Sequence, residues 1–324
     1  MSMTKDELKI LFLGTPDFAV ESLKKIVEGG YNVVGVVTMP DKPAGRGKHL
    51  TASPVKEYAL SQGLKVLQPE KLKDEAFVEE LRQLDADLFV VIAFRMLPEV
   101  VWTMPRLGTF NLHASLLPRY RGAAPINRAV MNGDTETGVT TFFLKHEIDT
   151  GDVIAREKIG IGPDENVGSV HDRLMALGAK LTVDTIDHII KGDLKPVAQS
   201  ELAENEAPTA APKIFKDTCR IDWSRSAREL HNHVRGLSPY PTAWCELLAG
   251  DTPQGTMKIY ATRVVDEDSH GTPGNAVVDR RDGSVTVQCG IGKLQLLEVQ
   301  APGKKRMSTG DWLRGNRLEN ISFE

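Results

Sequence analysis

The chain has 324 residues, 41% of them hydrophobic and 26% charged, with a formal net charge of −4 at pH 7. At roughly 100 to 200 residues per domain, that length reads as two domains, each able to bury a core, and excludes a disordered chain or a small cross-linked scaffold. No apolar run approaches the roughly 20 residues of a membrane span. The start carries Lys5, Asp6 and Glu7 rather than an apolar leader. The scattered Cys219, Cys245 and Cys289 fit neither a disulfide framework nor a zinc site. The expectation is a cytoplasmic protein with reduced thiols and no metal.

The apolar run Lys9 to Leu13 reads as a strand closed by Gly14, with Thr15 as N-cap and Pro16 as the first residue of a helix that stops at Gly29 and Gly30. The β-branched run Val33 to Val37 reads as a strand buried on both faces. Helices follow at about Pro54 to Gln62 and Asp74 to Leu84, and strands at Leu88 to Phe94, Gly108 to Leu112 and Val139 to Leu144. Strands alternating with helices predict a parallel sheet covered on both faces. A long amphipathic pattern from Glu165 to Lys191 closes this domain, expected over residues 1–191. The aperiodic stretch 192–212, rich in Ala, Glu and Pro, reads as a linker. Residues 213–324 begin with a short helix near Ser226 to Arg235 and continue in about five short β-like runs, from Ala243 to Val299. They predict a small OB-like barrel.

Charge is uneven. From Pro208 to the end there are 16 Lys and Arg against 14 Asp and Glu, a surplus of two, so the first 207 residues carry −6. Basic residues cluster at Lys42, Arg46 and Lys48, and again at Lys304, Lys305 and Arg306. Two basic spots on an acidic protein fit polyanion contact at chosen places, and equally a solvated surface.

The first turn, Gly14-Thr15-Pro16-Asp17-Phe18-Ala19, lacks the second and third glycines of a dinucleotide fingerprint, so NAD chemistry is disfavoured. The richest stretch runs from Asn111 to Ile126 and begins where a strand is expected to end, at the sheet edge that binds ligands in open α/β folds. Strand alternation puts Asn111 and His113 on one face. An amide and an imidazole converging there suit acyl transfer, in which an oxyanion develops and protons move; the same residues would equally serve to cap strands and turns. Asp149, in the loop Glu147 to Asp152, offers a carboxylate to orient the imidazole or a water, or else an Asx turn. No nucleophile elbow surrounds Ser115, and no cysteine lies near His113 in the sequence, which favours direct transfer over a covalent intermediate.

These features resemble the folate-dependent formyltransferases over nearly the whole chain, and within them the branch that acts on aminoacyl-tRNA. The motifs are Gly14 to Ala19, Pro40 to Lys48, Ser53 to Lys56, Asn111-x-His113-x-Ser115-Leu116-Leu117-Pro118, Arg121 to Ile126, Asp149 to Asp152, Arg220 to Ser224 and Pro302 to Lys305. The resemblance implies a Rossmann-like domain with a catalytic set of Asn111, His113 and Asp149. Substrate and folate contacts are implied at Ser115, Leu116, Leu117, Pro118, Gly122, Phe94, Arg95 and Met96. It implies 10-formyltetrahydrofolate as co-substrate, initiator methionyl-tRNA as partner, an OB-like domain holding tRNA, and tRNA contacts at Lys42, Arg46, Lys48, Lys304, Lys305 and Arg306. A monomer with no membrane contact is expected. The chain departs from the family pattern at Lys42, where many members carry Arg, and over Ile92 to Pro98, one residue shorter than usual. A formyltransferase acting on a sugar-nucleotide amine is the alternative, and the basic stretch Lys42 to Lys48 argues against it.

Overall fold

The computed structural model describes residues 3–44, 49–203 and 207–324. Two of the tRNA candidates, Arg46 and Lys48, therefore lie outside the described residues. The chain divides into two compact units: Met1–Gly122 with Gly138–Ile159 and His171–Ala210, and Ala123–Thr137 with Gly160–Val170 and Ala211–Glu324.

The first unit is built on a seven-stranded sheet. Its strands are β1 (Lys9–Gly14), β2 (Asn32–Val37), β3 (Val66–Leu67), β4 (Leu88–Ile92), β5 (Thr109–His113), β6 (Glu136–Phe143) and β7 (Val153–Gly160), in the order β7-β6-β5-β4-β1-β2-β3. The five strands from β3 to β5 pair in parallel. β4 is buried along its whole length, as a parallel strand covered on both faces must be. β6 runs antiparallel to β5. Helices α1 (Asp17–Glu28), α2 (Pro54–Ser61) and α3 (Glu75–Leu84) present Leu23 and Ile26, Val55, and Phe77, Val78 and Leu81 to the core. One detail departs from expectation: α1 starts at Asp17 with Pro16 in the capping position and no side-chain cap, so Thr15 is not its N-cap. Ser53 does cap α2, accepting from the Lys56 amide.

In the second unit, six strands lie in the order β10-β11-β12-β9-β8-β13: β8 (Ala243–Ala249), β9 (Thr252–Asp266), β10 (Ala276–Asp279), β11 (Ser284–Gln288), β12 (Lys293–Gln300) and β13 (Ile321–Phe323). Irregular register in β9 lets that long strand bend and the sheet coil. The two sheet edges meet where Phe323 donates its amide to Gly274 O at 2.9 Å, with an Asn275–Ser322 bridge beside it. Gly274 has φ +85, and a Cβ there would come within 2.1 Å of Phe323 O. Only glycine makes that closure. The barrel core includes Leu230, Val234, Cys245, Met257, Ile259, Val287, Leu296 and Trp312.

All three thiols are free and buried. Burial raises each of them, Cys289 to about 12. They are core residues. Helix α4 (Ala227–Leu237) enters the barrel core behind a capping box: Ser226 Oγ accepts from the Glu229 amide, and the Glu229 carboxylate accepts from Ser226. Those bonds, with Arg225, hold the Glu229 carboxyl down to about 2 from 4.5.

A carboxyl depressed in the folded state stabilises the fold above its unfolded pKa and loses that contribution as pH falls through the folded one. Ser226→Ala is expected to cost about 1 kcal/mol. Glu229→Gln is expected to destabilise by somewhat less, because the carboxylate is half exposed and screened. Its deficit should be full above about pH 4.5 and shrink toward pH 2. Urea denaturation of both variants across that range checks the sign.

Candidate active site

β1, β2 and β3 are wound in one direction from the middle of the sheet, and β4 and β5 in the other. The reversal puts a crevice beyond the carboxyl ends of β1 and β4, the usual ligand position in such sheets. Gly14 closes β1 tightly, since a Cβ there would lie 2.7 Å from the Ala19 Cβ. β5 ends on the same edge and carries Asn111 and His113 on one face, about 6.6 Å apart along the strand.

His113 is 7% exposed. Its Nε2 lies 2.8 Å from the carbonyl oxygen of Tyr120. A carbonyl only accepts, so Nε2 carries the proton and Nδ1 is the nitrogen left for chemistry. Nδ1 is 3.9 Å from Asp149 Oδ2, too far for a hydrogen bond. The ring is thus oriented by a main-chain carbonyl and faced by a carboxylate. Phe142 meets it edge-on at 6.4 Å. The buried Oδ1 of Asn111 has no hydrogen-bond partner among the described residues. A buried amide oxygen left unmatched is costly, and such groups concentrate where a ligand completes them.

Because β6 is antiparallel, its last residue, Phe143, sits beside Phe110 near the start of β5, and the loop after it must double back for Asp149 to reach His113. Asp149 adopts φ +55, and its Oδ2 accepts from the Gly122 amide at 2.9 Å. Gly151 passes so near Phe143 O that a Cβ would overlap it at 1.5 Å. Tyr120, like Asp149, is a non-glycine residue with positive φ, at +59. Both side partners of the imidazole therefore sit on backbone that costs about 1 kcal/mol per residue to hold.

The remaining candidates separate into groups. Ser115 is fully buried and donates to Arg119 O, and Thr140 Oγ1 bridges Ser115 O and the Leu117 amide. Leu117 packs with Phe142 and Val153, while Arg156 donates to its carbonyl. Pro118 is buried and Leu116 half-buried. This loop builds the wall behind His113. Arg95 donates from both terminal nitrogens to the carbonyls of Pro69 and Glu70, lies 5.6 Å from the Phe94 ring, and leaves its buried Nε unmatched. Burial lowers its guanidinium pKa. Met96 is 71% exposed at the next position. Lys42 is exposed in a short hairpin, opposite Thr51. Lys304 and Lys305 are exposed on the barrel, whereas Arg306 pairs with both carboxylate oxygens of Glu298 at 2.7 Å over the Tyr260 ring. The roles of Tyr120 and Thr140 left no trace in the sequence pattern, because one acts through its main chain and the other through a neighbour's.

Residues 8–186 match the family model described as formyl transferase, and residues 213–317 match the one described as formyl transferase, C-terminal domain. The chain is 57% identical over 318 residues to a methionyl-tRNA formyltransferase of Bacteroides thetaiotaomicron, covering 98% of each chain. It is 59% identical over 321 residues to that of Phocaeicola vulgatus, again over 98% of each. Among solved structures, a sugar 3N-formyl transferase, WlaRD, aligns with a TM-score of 0.65 at 17% identity over 92% of this chain and 99% of its own. HypX from Aquifex aeolicus aligns with a TM-score of 0.63 at 18% identity over 94% of this chain and 48% of its own. Those two likenesses carry the fold alone. Matches that span both parts of the chain, to both family models and to relatives over almost their whole length, make this chain a member of the formyl transferase family.

Proposed function

We propose that the chain transfers the formyl group of 10-formyltetrahydrofolate to the α-amine of methionine on initiator tRNA, with Asn111, His113 and Asp149 as the catalytic set. The observation that carries the chemistry is the unmatched buried amide oxygen of Asn111 on the same strand face as an imidazole whose Nδ1 faces a carboxylate. The acceptor follows from relatives at 57% and 59% identity over almost their whole length. The sugar 3N-formyl transferase that shares the alternative's kind of acceptor is alike at 17% identity, a likeness that carries the fold alone.

The folate co-substrate supplies a formyl carbon whose nitrogen is a competent leaving group. The neutral methionine amine attacks that carbon. As the carbonyl oxygen becomes an oxyanion, Asn111 Nδ2 donates to it, and the unmatched Asn111 Oδ1 accepts from the attacking amine. His113 Nδ1 takes the proton that the attacking nitrogen sheds, and Asp149 favours the resulting imidazolium. Collapse of the tetrahedral centre breaks the bond to folate nitrogen, which receives that proton. The imidazole is neutral again at the end of the cycle.

In this reading residues 1–191 carry the chemistry and residues 213–324 hold tRNA, joined through 192–212. Lys42, with Arg46 and Lys48 outside the described residues, contacts the acceptor end, and Phe94 to Met96 border the folate. No helix among the described residues is long and apolar enough to cross a membrane. One copy contains the full catalytic set, so the protein is taken to act as a cytoplasmic monomer, which light scattering at assay concentration checks.

Incubating the protein with 10-formyltetrahydrofolate and charged initiator tRNA should yield N-formylmethionine; formylation of an amino sugar nucleotide in its place would overturn the acceptor. Asn111→Ala and His113→Ala should each lower single-turnover rates about 100- to 1000-fold with saturating substrates. A His113→Ala rate within about threefold of the parent would make this histidine a loop residue. Lys304→Ala and Lys305→Ala should each flatten the log-log salt dependence of the tRNA KM by up to about one unit. Arg306→Ala should flatten it less, because Glu298 already engages that guanidinium. Equal slopes for all three would remove the ion pair from the account.

A further inference from the structure

Gln199 opens a short helix, Gln199–Leu202, in the stretch whose sequence reads as linker, and it is only 3% exposed. Its amide is fully engaged. Oε1 accepts from Arg121 Nε at 3.0 Å and from Arg121 Nη2 at 2.7 Å, and Nε2 donates to Asp149 O at 2.8 Å and Gly151 O at 2.9 Å. The fork of Arg121 fixes which end of the amide is oxygen, so the NH2 must face the two carbonyls. Those carbonyls bracket the turn that holds Asp149 at positive φ.

We propose that Gln199 is a positioning residue for Asp149, and so for the imidazole of His113, an inference that rests on the catalytic reading above. Asp149 is gripped on two sides. The Gly122 amide holds its carboxylate, and Gln199 holds its carbonyl. Gly151 leaves the loop no space to slide toward Phe143. Arg121, which orients Gln199, sits between Tyr120, whose carbonyl orients His113, and Gly122, whose amide orients Asp149. A second contact from the same stretch braces the other partner: Thr209 accepts from the Tyr120 amide through Oγ1 and from the Arg121 amide through its carbonyl, both at 2.9 Å. The segment is therefore a brace on both neighbours of the imidazole. Removing the Gln199 donors takes the partner from two carbonyls, that of Gly151 in a buried hydrogen bond, and frees the carboxylate from its 3.9 Å station.

Gln199→Glu is the discriminating change. It keeps the size and the Arg121 partner, and it replaces both donors by an oxygen that faces carbonyls. The single-turnover rate of the full chain at saturating 10-formyltetrahydrofolate and charged tRNA should fall about 10- to 100-fold, since small misplacements of reacting groups cost that much. The KM for each substrate should stay within about threefold. In the Asp149→Ala background the same change should cost less than about threefold, because residues that act as a unit fail together. Should Gln199→Glu not fold, Arg121→Lys carries the same cycle: it loses the fork, and its smaller fall should likewise vanish in Asp149→Ala. A slow Asp149→Ala beside a Gln199→Glu of parental rate overturns the proposal, as do losses that multiply in the double variant. A parental rate for Asp149→Ala itself overturns the catalytic reading and this inference with it.

Discussion

The carbonyl of Tyr120 decides which nitrogen of His113 is protonated, and much of the first unit is arranged around keeping that carbonyl in place. A carbonyl cannot donate, so the imidazole is held as the Nε2–H tautomer with Nδ1 facing Asp149. Holding it there requires Tyr120 at φ +59, an amide anchor on Thr209 and a buried ring. The loop before it is fastened in turn by Thr140, which satisfies Ser115 and Leu117 at once. A polar loop at a sheet edge would ordinarily sample many conformations. Here the Ser115 carbonyl, the Leu117 amide and carbonyl and the Tyr120 amide are matched to Thr140, Arg156 and Thr209 from later in the chain.

Separating Asp149 from direct hydrogen bonding has a chemical consequence. A carboxylate bonded to Nδ1 would hold that nitrogen as a donor and leave the imidazole little capacity to take up a proton. At 3.9 Å the carboxylate faces the ring without bonding to it, and Nδ1 stays open to accept. Its own hydrogen bond goes to the Gly122 amide, so a buried charge is matched without quenching its neighbour.

The barrel solves a different problem. A coiled sheet of seven strands, six in the main order and the short Met307–Ser308 paired beside Lys293–Gln300, has two edges, and exposed edges invite pairing with other chains. Gly274 and Phe323 join those edges through a main-chain bond too close for any side chain at position 274. The closing strand has three residues, and its partners are Leu247 to Ala249. Segments 123–137 and 160–170 group with this part rather than with the sheet that surrounds them in sequence. Asn127, for example, donates to Gly236 O from a helix that the sequence pattern did not mark.

Periodicity and residue type alone fixed the identity of most elements: the apolar runs at Lys9 to Leu13, Val33 to Val37 and Leu88 to Phe94, the helices at Pro54 and Asp74, and the barrel runs from Ala243 to Val299. They are legible because each buries a face whose spacing is set by its own backbone geometry. The resemblance carried by Asn111-x-His113 and Asp149 likewise points to formyl transfer from the sequence alone. Tertiary structure alone decided the rest. It set the antiparallel turn of β6 that makes the Asp149 loop double back, the choice of Tyr120 O over Asp149 as the partner of the imidazole, and the brace that Gln199 and Thr209 supply from a stretch with no pattern. These are contacts between main-chain carbonyls, amides and single polar side chains far apart in the chain. Every residue has a carbonyl and nearly every one an amide, so nothing in the order of side chains distinguishes the few that the fold brings to the site.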